Sequence, residues 1–135
     1  MIGLVIVTHA NLAAELLQAA EMIIGPFPAA TAVSIDRGLS VDAARAQLAE
    51  AISRVGSDGE GVLILTDMFG GTPTNISAEF LANPAVEILT GVNLPMLIKA
   101  VSARGEQRVK ALSAMLKEYA RNAVVRPSEL LKPGN

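Results

Sequence analysis

Ile2-Gly3-Leu4-Val5-Ile6-Val7-Thr8-His9-Ala10-Asn11 decides the fold. The unbroken apolar run Leu4 to Val7 predicts a strand covered on both faces, because a strand with one wet face would alternate. Helical spacing begins directly after Asn11, so the segment is the first half of a βα unit. The junction carries His9, the one histidine of the chain. In open α/β sheets the carboxyl ends of the strands are where ligands bind, beside helix N-termini. A lone histidine is more often a hydrogen-bonded bystander than a reacting group, so the rest of the chain has to decide between the two.

Outward from this unit, strand and helix alternate. Asn11 is a candidate N-cap, with Leu12, Leu16, Ala19 and Ile23 as the apolar stripe of the first helix and Gly25-Pro26 as its stop. Ala32 to Ile35 predicts a second, more polar strand. Ser40 caps a helix whose stripe is Val41, Ala44, Leu48, Ile52 and Val55. Val62 to Leu65 predicts another fully apolar strand ending in Thr66-Asp67, followed by a helix with Thr72 as N-cap and Pro73 at its first position. Val86 to Thr90 predicts the fourth strand, Pro95 starts a helix that breaks near Gly105, and Val109, Leu112, Leu116 and Tyr119 line the last one.

This rhythm implies parallel strands joined by right-handed crossovers, hence an α/β, doubly wound, mainly parallel four-stranded sheet with helices on both faces. Ser34 and Glu87 push the second and fourth strands toward the edges, which predicts the order 2-1-3-4. Winding then reverses between the first and third strands, opening a crevice where His9 and Asp67 face each other. Asn122 to Arg126 is a candidate fifth strand. It follows the last helix after almost no loop, so a partner's sheet edge is its expected place, giving a homodimer by strand exchange. The tail from about residue 127 is expected to fray.

The composition removes several function classes. A chain of 135 residues, 51% hydrophobic, has material for one core and too little for two domains, so 1–135 is expected to be a single domain. Eleven Lys+Arg against thirteen Asp+Glu, scattered along the chain, make no stripe for a phosphate backbone, and 3% aromatics leave little to stack on bases, so nucleic-acid binding is not expected. The absence of cysteine excludes thiolate chemistry, and a single histidine leaves no ligand set for a transition metal. No basic region precedes the first apolar stretch, and no apolar run approaches the ~20 residues that span a bilayer. A cytoplasmic protein with no direct membrane insertion is expected.

Thr66-Asp67-Met68-Phe69-Gly70-Gly71-Thr72-Pro73-Thr74-Asn75 carries the second half of the chemistry. Gly70 and Gly71 allow a tight turn and close approach, while the helix opening behind them directs free N–H groups into the same space. No Lys follows the glycines, so this is not a Walker loop. Taken alone, a Gly-Gly pair is a tight turn about as often as a ligand site. Opposite a histidine it means more. A carboxylate at Asp67 that accepts a hydrogen bond from one ring nitrogen of His9 would free the other as general base or nucleophile. The adjoining anion pocket favours a nucleophile that takes a phosphoryl group, for which positioning and electrostatics are the main requirements.

Val7-Thr8-His9-Ala10, Asp67-Met68-Phe69-Gly70-Gly71-Thr72-Pro73-Thr74-Asn75 and Gly91-Val92-Asn93-Leu94-Pro95-Met96-Leu97, at this spacing, resemble the enzyme IIA component of the mannose-type (mannose, fructose, sorbose) sugar phosphotransferase system. The resemblance runs from Met1 to about Tyr119. It implies that His9 takes a phosphoryl group from the phosphocarrier protein HPr and passes it to a IIB protein. It further implies that Asp67 orients the ring, that Gly70, Gly71 and Thr72 line the phosphate site, and that no cofactor is needed. Thr66 and Asn93 are supporting candidates, as readily strand-end or loop hydrogen-bonders, and Met68 and Phe69 are candidate partner contacts. Some members carry Trp and Ser where this chain has Phe69 and Thr72. No IIB segment is present in these residues, so the acceptor is expected to be a separate protein. The alternatives are a phosphorylation-state sensor without a transport role and the phosphoryl-donor subunit of a dihydroxyacetone kinase, whose family lacks the Gly-Gly-Thr-Pro and Gly-Val-Asn-Leu-Pro blocks. The identity of any sugar is not encoded here.

Overall fold

In the computed structural model, residues 1–105 and 107–131 are described. Four strands, β1 (Gly3–His9), β2 (Ala30–Ile35), β3 (Val62–Thr66) and β4 (Val86–Leu89), form one sheet in the order β2-β1-β3-β4, with every neighbouring pair parallel. This is the predicted order. β1 and β3 are central because both of their faces are apolar and buried. The half-buried Ser34 and Glu87 sit in the edge strands, where one side of the ladder meets solvent.

The helices are α1 (Leu12–Ile24), α2 (Val41–Val55), α3 (Gly71–Ala78), α4 (Leu94–Ala103), α5 (Val109–Asn122) and α6 (Pro127–Leu131), with a short 3-10 turn over Glu79–Ala82. Alternation along the strands sorts them into two layers. Leu4, Ile6, Leu63 and Leu65 pack with the layer of α1, α4 and α5, while Val5, Val7, Val33, Ile35 and Ile64 pack with α2 and α3. His9 continues the Val5-Val7 series, so its side chain emerges on the α2 and α3 side.

Several local expectations need correction. The buried residues of α1 are Ala13 and Ala20, whereas Leu12 and Ile23 are exposed. The small alanines let the helix lie close to the sheet, and a stripe drawn through the larger side chains misses that face by one residue. Asn11 precedes α1 without a side-chain cap; Thr8 Oγ1 accepts from the Ala13 N–H instead, at 2.7 Å. The third helix begins at Gly71, with Gly70 at the cap position and no side-chain cap hydrogen bond, so Thr72 falls inside its first turn and is not the N-cap. In α5 the inner position is Ala120, and the exposed Tyr119 ring receives Lys99 Nζ at 5.2 Å from its centroid. Ser40 does cap α2, accepting from the Ala43 N–H at 3.1 Å.

Asn122 ends α5, and residues 123–126 pair with no strand among the described residues. The last segment, expected to fray, forms α6 instead. Pro127 is preset for a first helical position, and Glu129 pairs with Arg126 at 2.7 Å. Residues 132–135 lie outside the described region.

Candidate active site

β1 ends by presenting His9 at the carboxyl edge, and β3, its neighbour, ends one residue before Asp67. Asp67 Oδ2 lies 2.7 Å from His9 Nδ1 and 3.0 Å from the His9 backbone nitrogen. An ionised carboxylate has no proton to give, so Nδ1 carries the hydrogen and donates it. The lone pair therefore resides on Nε2. Burial pushes the Asp67 carboxyl toward higher pKa, but the hydrogen bonds from the His9 ring and backbone, together with the charge on a protonated ring, outweigh it and hold the group below its ordinary value. Asp67 is 13% exposed and His9 50%, so the orienting group is shielded while the ring stays accessible.

The Gly70-Gly71 turn passes the opposite edge of the ring. Both glycines have left-handed backbones, φ 88° and 80°. A methyl group on Gly71 would sit 3.1 Å from His9 Cε1 and 3.3 Å from Nε2, whereas one on Gly70 would meet nothing within 4 Å. Gly71 thus leaves open the space in front of Nε2, and Thr72 in the first turn of α3 lines the same cleft. That cleft, of about 390 Å³, runs from His9 and Ala10 past Ile35 to Val41 at the start of α2. Ala10 itself is left-handed, φ 51°, a conformation costing a non-glycine residue about 1 kcal/mol. Its N–H donates to Ile35 O at 3.1 Å, fixing the turn that frees His9 from the strand.

The other expected residues have supporting positions. Thr66 is buried; its Oγ1 lies 2.8 Å from Thr74 Oγ1, and Thr74 donates to Met68 O at 2.6 Å. The pair braces the Asp67 loop from below. Thr74 was not singled out in the sequence, where a hydroxyl inside a helix gives no signal of a tertiary partner. Asn93 caps α4, accepting from the Met96 N–H at 2.9 Å, and does not line the His9 cleft. Met68 and Phe69 project from the loop, 52% and 85% exposed. Among the described residues no cluster of three or more His, Asp or Glu side chains is placed to hold a metal ion, and no helix is long and apolar enough to cross a membrane.

A histidine held by a carboxylate at the reversal point of a doubly wound parallel sheet, with a glycine turn across its free nitrogen, defines a protein built around an oriented, accessible imidazole. Residues 3–117 match the EIIA-man family, described as PTS system fructose IIA component, and the chain belongs to that family. It is 31% identical over 133 residues to the PTS system fructose-specific EIIA component of Bacillus subtilis, covering 98% of this chain and 90% of the relative. Identity is also 31% to the PTS system sorbose-specific EIIA component of Lacticaseibacillus casei, over 116 residues covering 84% of this chain and 83% of the relative. The crystal structure of phosphotransferase system component EIIA from Streptococcus agalactiae superimposes with a TM-score of 0.84 at 29% identity, covering 96% of this chain and 99% of that one. The protein is thus a mannose-family IIA component of the sugar phosphotransferase system.

Proposed function

We propose that the chain accepts a phosphoryl group from HPr on His9 Nε2 and passes it to a IIB protein, acting in the cytoplasm as one step of a phosphoenolpyruvate-driven relay. The observation that carries this reading is the hydrogen bond of 2.7 Å between His9 Nδ1 and Asp67 Oδ2, which leaves Nε2 as the nucleophilic nitrogen. The Nε2 lone pair attacks phosphorus. A nitrogen–phosphorus bond forms while the bond from phosphorus to the donor atom of HPr breaks, and that atom keeps the bonding pair. The Nδ1 proton stays in place, and the positive charge of the phosphorylated ring is opposed by the Asp67 carboxylate. Transfer onward repeats the displacement with the IIB nucleophile attacking and Nε2 leaving.

Gly70, Gly71 and Thr72 surround the phosphoryl oxygens in this reading, and Thr66 acts only through the loop it braces. Met68 and Phe69 supply an apolar contact for the partner beside the reacting nitrogen. Val124 and Val125, 78% and 49% exposed, support an exchanged strand between two copies of the chain. Truncation after Tyr119 is expected to shift a dimer toward monomer, read by light scattering at several concentrations. An untruncated chain that is monomeric at high concentration contradicts the dimer.

Incubation with phosphoenolpyruvate, enzyme I and HPr, followed by addition of a IIB protein, tests the relay. Label that appears on the chain and then drains to IIB is the expected result. Label that persists with every IIB offered points to a phosphorylation-state sensor, and absence of label overturns the proposal.

A further inference from the structure

The parallel register pairs His9 with Ile35, so the exit of β2 runs beside the reacting histidine. Val33 and Ile35 face the α2 and α3 layer, as do Val5 and Val7 in β1. Two residues beyond Ile35 comes Arg37, and it lines the same cleft as His9 and Thr72. Arg37 is the cation of this wall; Asp36 is its acid, and the two are not paired. Elsewhere Arg45 is engaged by Glu79 and Asp42, Arg54 by Thr31 and Glu50, Arg121 by Glu118, Arg126 by Glu129, and Arg104 by backbone carbonyls; Arg108 is also unpaired among the described residues but lines a separate cleft with Gly59, Pro84 and Lys110. Arg37 makes neither an ion pair nor a side-chain hydrogen bond among the described residues. An exposed guanidinium with no internal partner, sharing a cleft with a nucleophilic imidazole, keeps its fork of donors for a ligand.

We infer that Arg37 binds the phosphoryl group carried by His9, donating from its guanidinium to the non-bridging oxygens as phosphorus moves onto Nε2 and again as it leaves. The inference rests on the phosphocarrier reading and adds to it a charge that the glycine turn lacks. Gly70, Gly71 and Thr72 offer neutral donors. A group bearing close to two negative charges gains more from a cation, and in displacement at phosphorus the stabilised charge lies on the same oxygens throughout. Atom balance is that of the displacement above: Arg37 keeps all its protons and forms no covalent bond.

The test compares wild type, Arg37→Gln and Arg37→Lys with two phosphoryl donors, HPr and the small molecule phosphoramidate, which transfers to imidazoles without a protein surface. Phosphorylation is followed by intact mass, and the phosphorus resonance of the product is recorded. Arg37→Gln is expected to slow phosphorylation from both donors on the order of tenfold and to shift the resonance, while Arg37→Lys recovers part of the rate. Equal rates and an unchanged resonance in Arg37→Gln overturn the role of Arg37 while leaving the phosphocarrier reading intact. A defect with HPr alone overturns it in favour of a docking contact. Wild type that accepts phosphoryl from neither donor overturns the phosphocarrier reading and this inference with it.

Discussion

One oxygen of Asp67, Oδ2, holds both the ring and the main chain of His9, at 2.7 Å from Nδ1 and 3.0 Å from the backbone nitrogen. Its other oxygen is buried with no hydrogen-bond partner among the described residues. In Asp67→Asn the amide oxygen can replace Oδ2 only by placing an NH₂ group at the buried Oδ1 position, which has no hydrogen-bond partner among the described residues, and the charge opposing the ring is lost in either orientation. The expected result is an intact fold with phosphorylation from HPr slowed ten- to a hundredfold. Single-turnover rates check this, and unchanged rates remove Asp67 from the mechanism.

The same pair sets an acid limit on stability. The folded pKa of Asp67 is depressed, so its contribution is fully present above the unfolded value of about 3.9 and is lost as pH falls through the folded one. Urea midpoints of wild type and Asp67→Asn are expected to differ at about pH 5 and to converge progressively as pH falls below the unfolded carboxyl value of about 3.9. A gap that persists unchanged at about pH 3 contradicts the linkage.

The two glycines of the turn separate strain from obstruction. Ala at either position has to hold a left-handed backbone, at a cost of about 1–2 kcal/mol. Only Gly71→Ala also places its methyl 3.3 Å from Nε2. Both variants are expected to lose similar stability, while Gly71→Ala loses tenfold or more in phosphorylation rate and Gly70→Ala remains within a few-fold of wild type. Equal activity in the two variants would show that the space in front of Nε2 is not the reacting space.

Arg104 ties the opposite pole of the molecule. It is 3% exposed, follows α4, stacks over Phe27 at 5.4 Å, and donates to the carbonyls of Ile2, Pro28 and Ala29. Arg104→Met keeps the bulk and strands these acceptors, so a loss of about 2–3 kcal/mol is expected by chemical denaturation. Transfer rates measured well below the transition are expected to be unchanged, because Arg104 lies at the amino ends of β1 and β2, away from His9.

What was legible in the sequence follows from which signals are local. Leu4 to Val7 and Val62 to Leu65 announce central strands because burial on both faces removes polar alternation, and Ser34 and Glu87 mark the edges for the converse reason. His9 and Asp67 stood out because a strand exit is a one-residue address. Thr8 as the α1 cap, Thr74 beneath Met68, and buried Arg104 were not legible. Each depends on a neighbour that only the folded chain supplies, and an arginine is ordinarily exposed. The α1 face was missed because Ala13 and Ala20 carry little hydrophobic signal while being the residues that permit close packing. Arg37 needed the β1–β2 register to bring it beside His9.

In the proposed relay Asp67 reserves Nδ1 and leaves Nε2 to react. Long-range nitrogen–proton correlation spectra of the chain labelled with ¹⁵N and phosphorylated through HPr assign the modified nitrogen directly, with His9→Ala as the control for the site. One acid-labile phosphoryl group is expected, on Nε2 of His9, and none in His9→Ala. Phosphoryl on Nδ1, or on any other residue, would contradict this expectation.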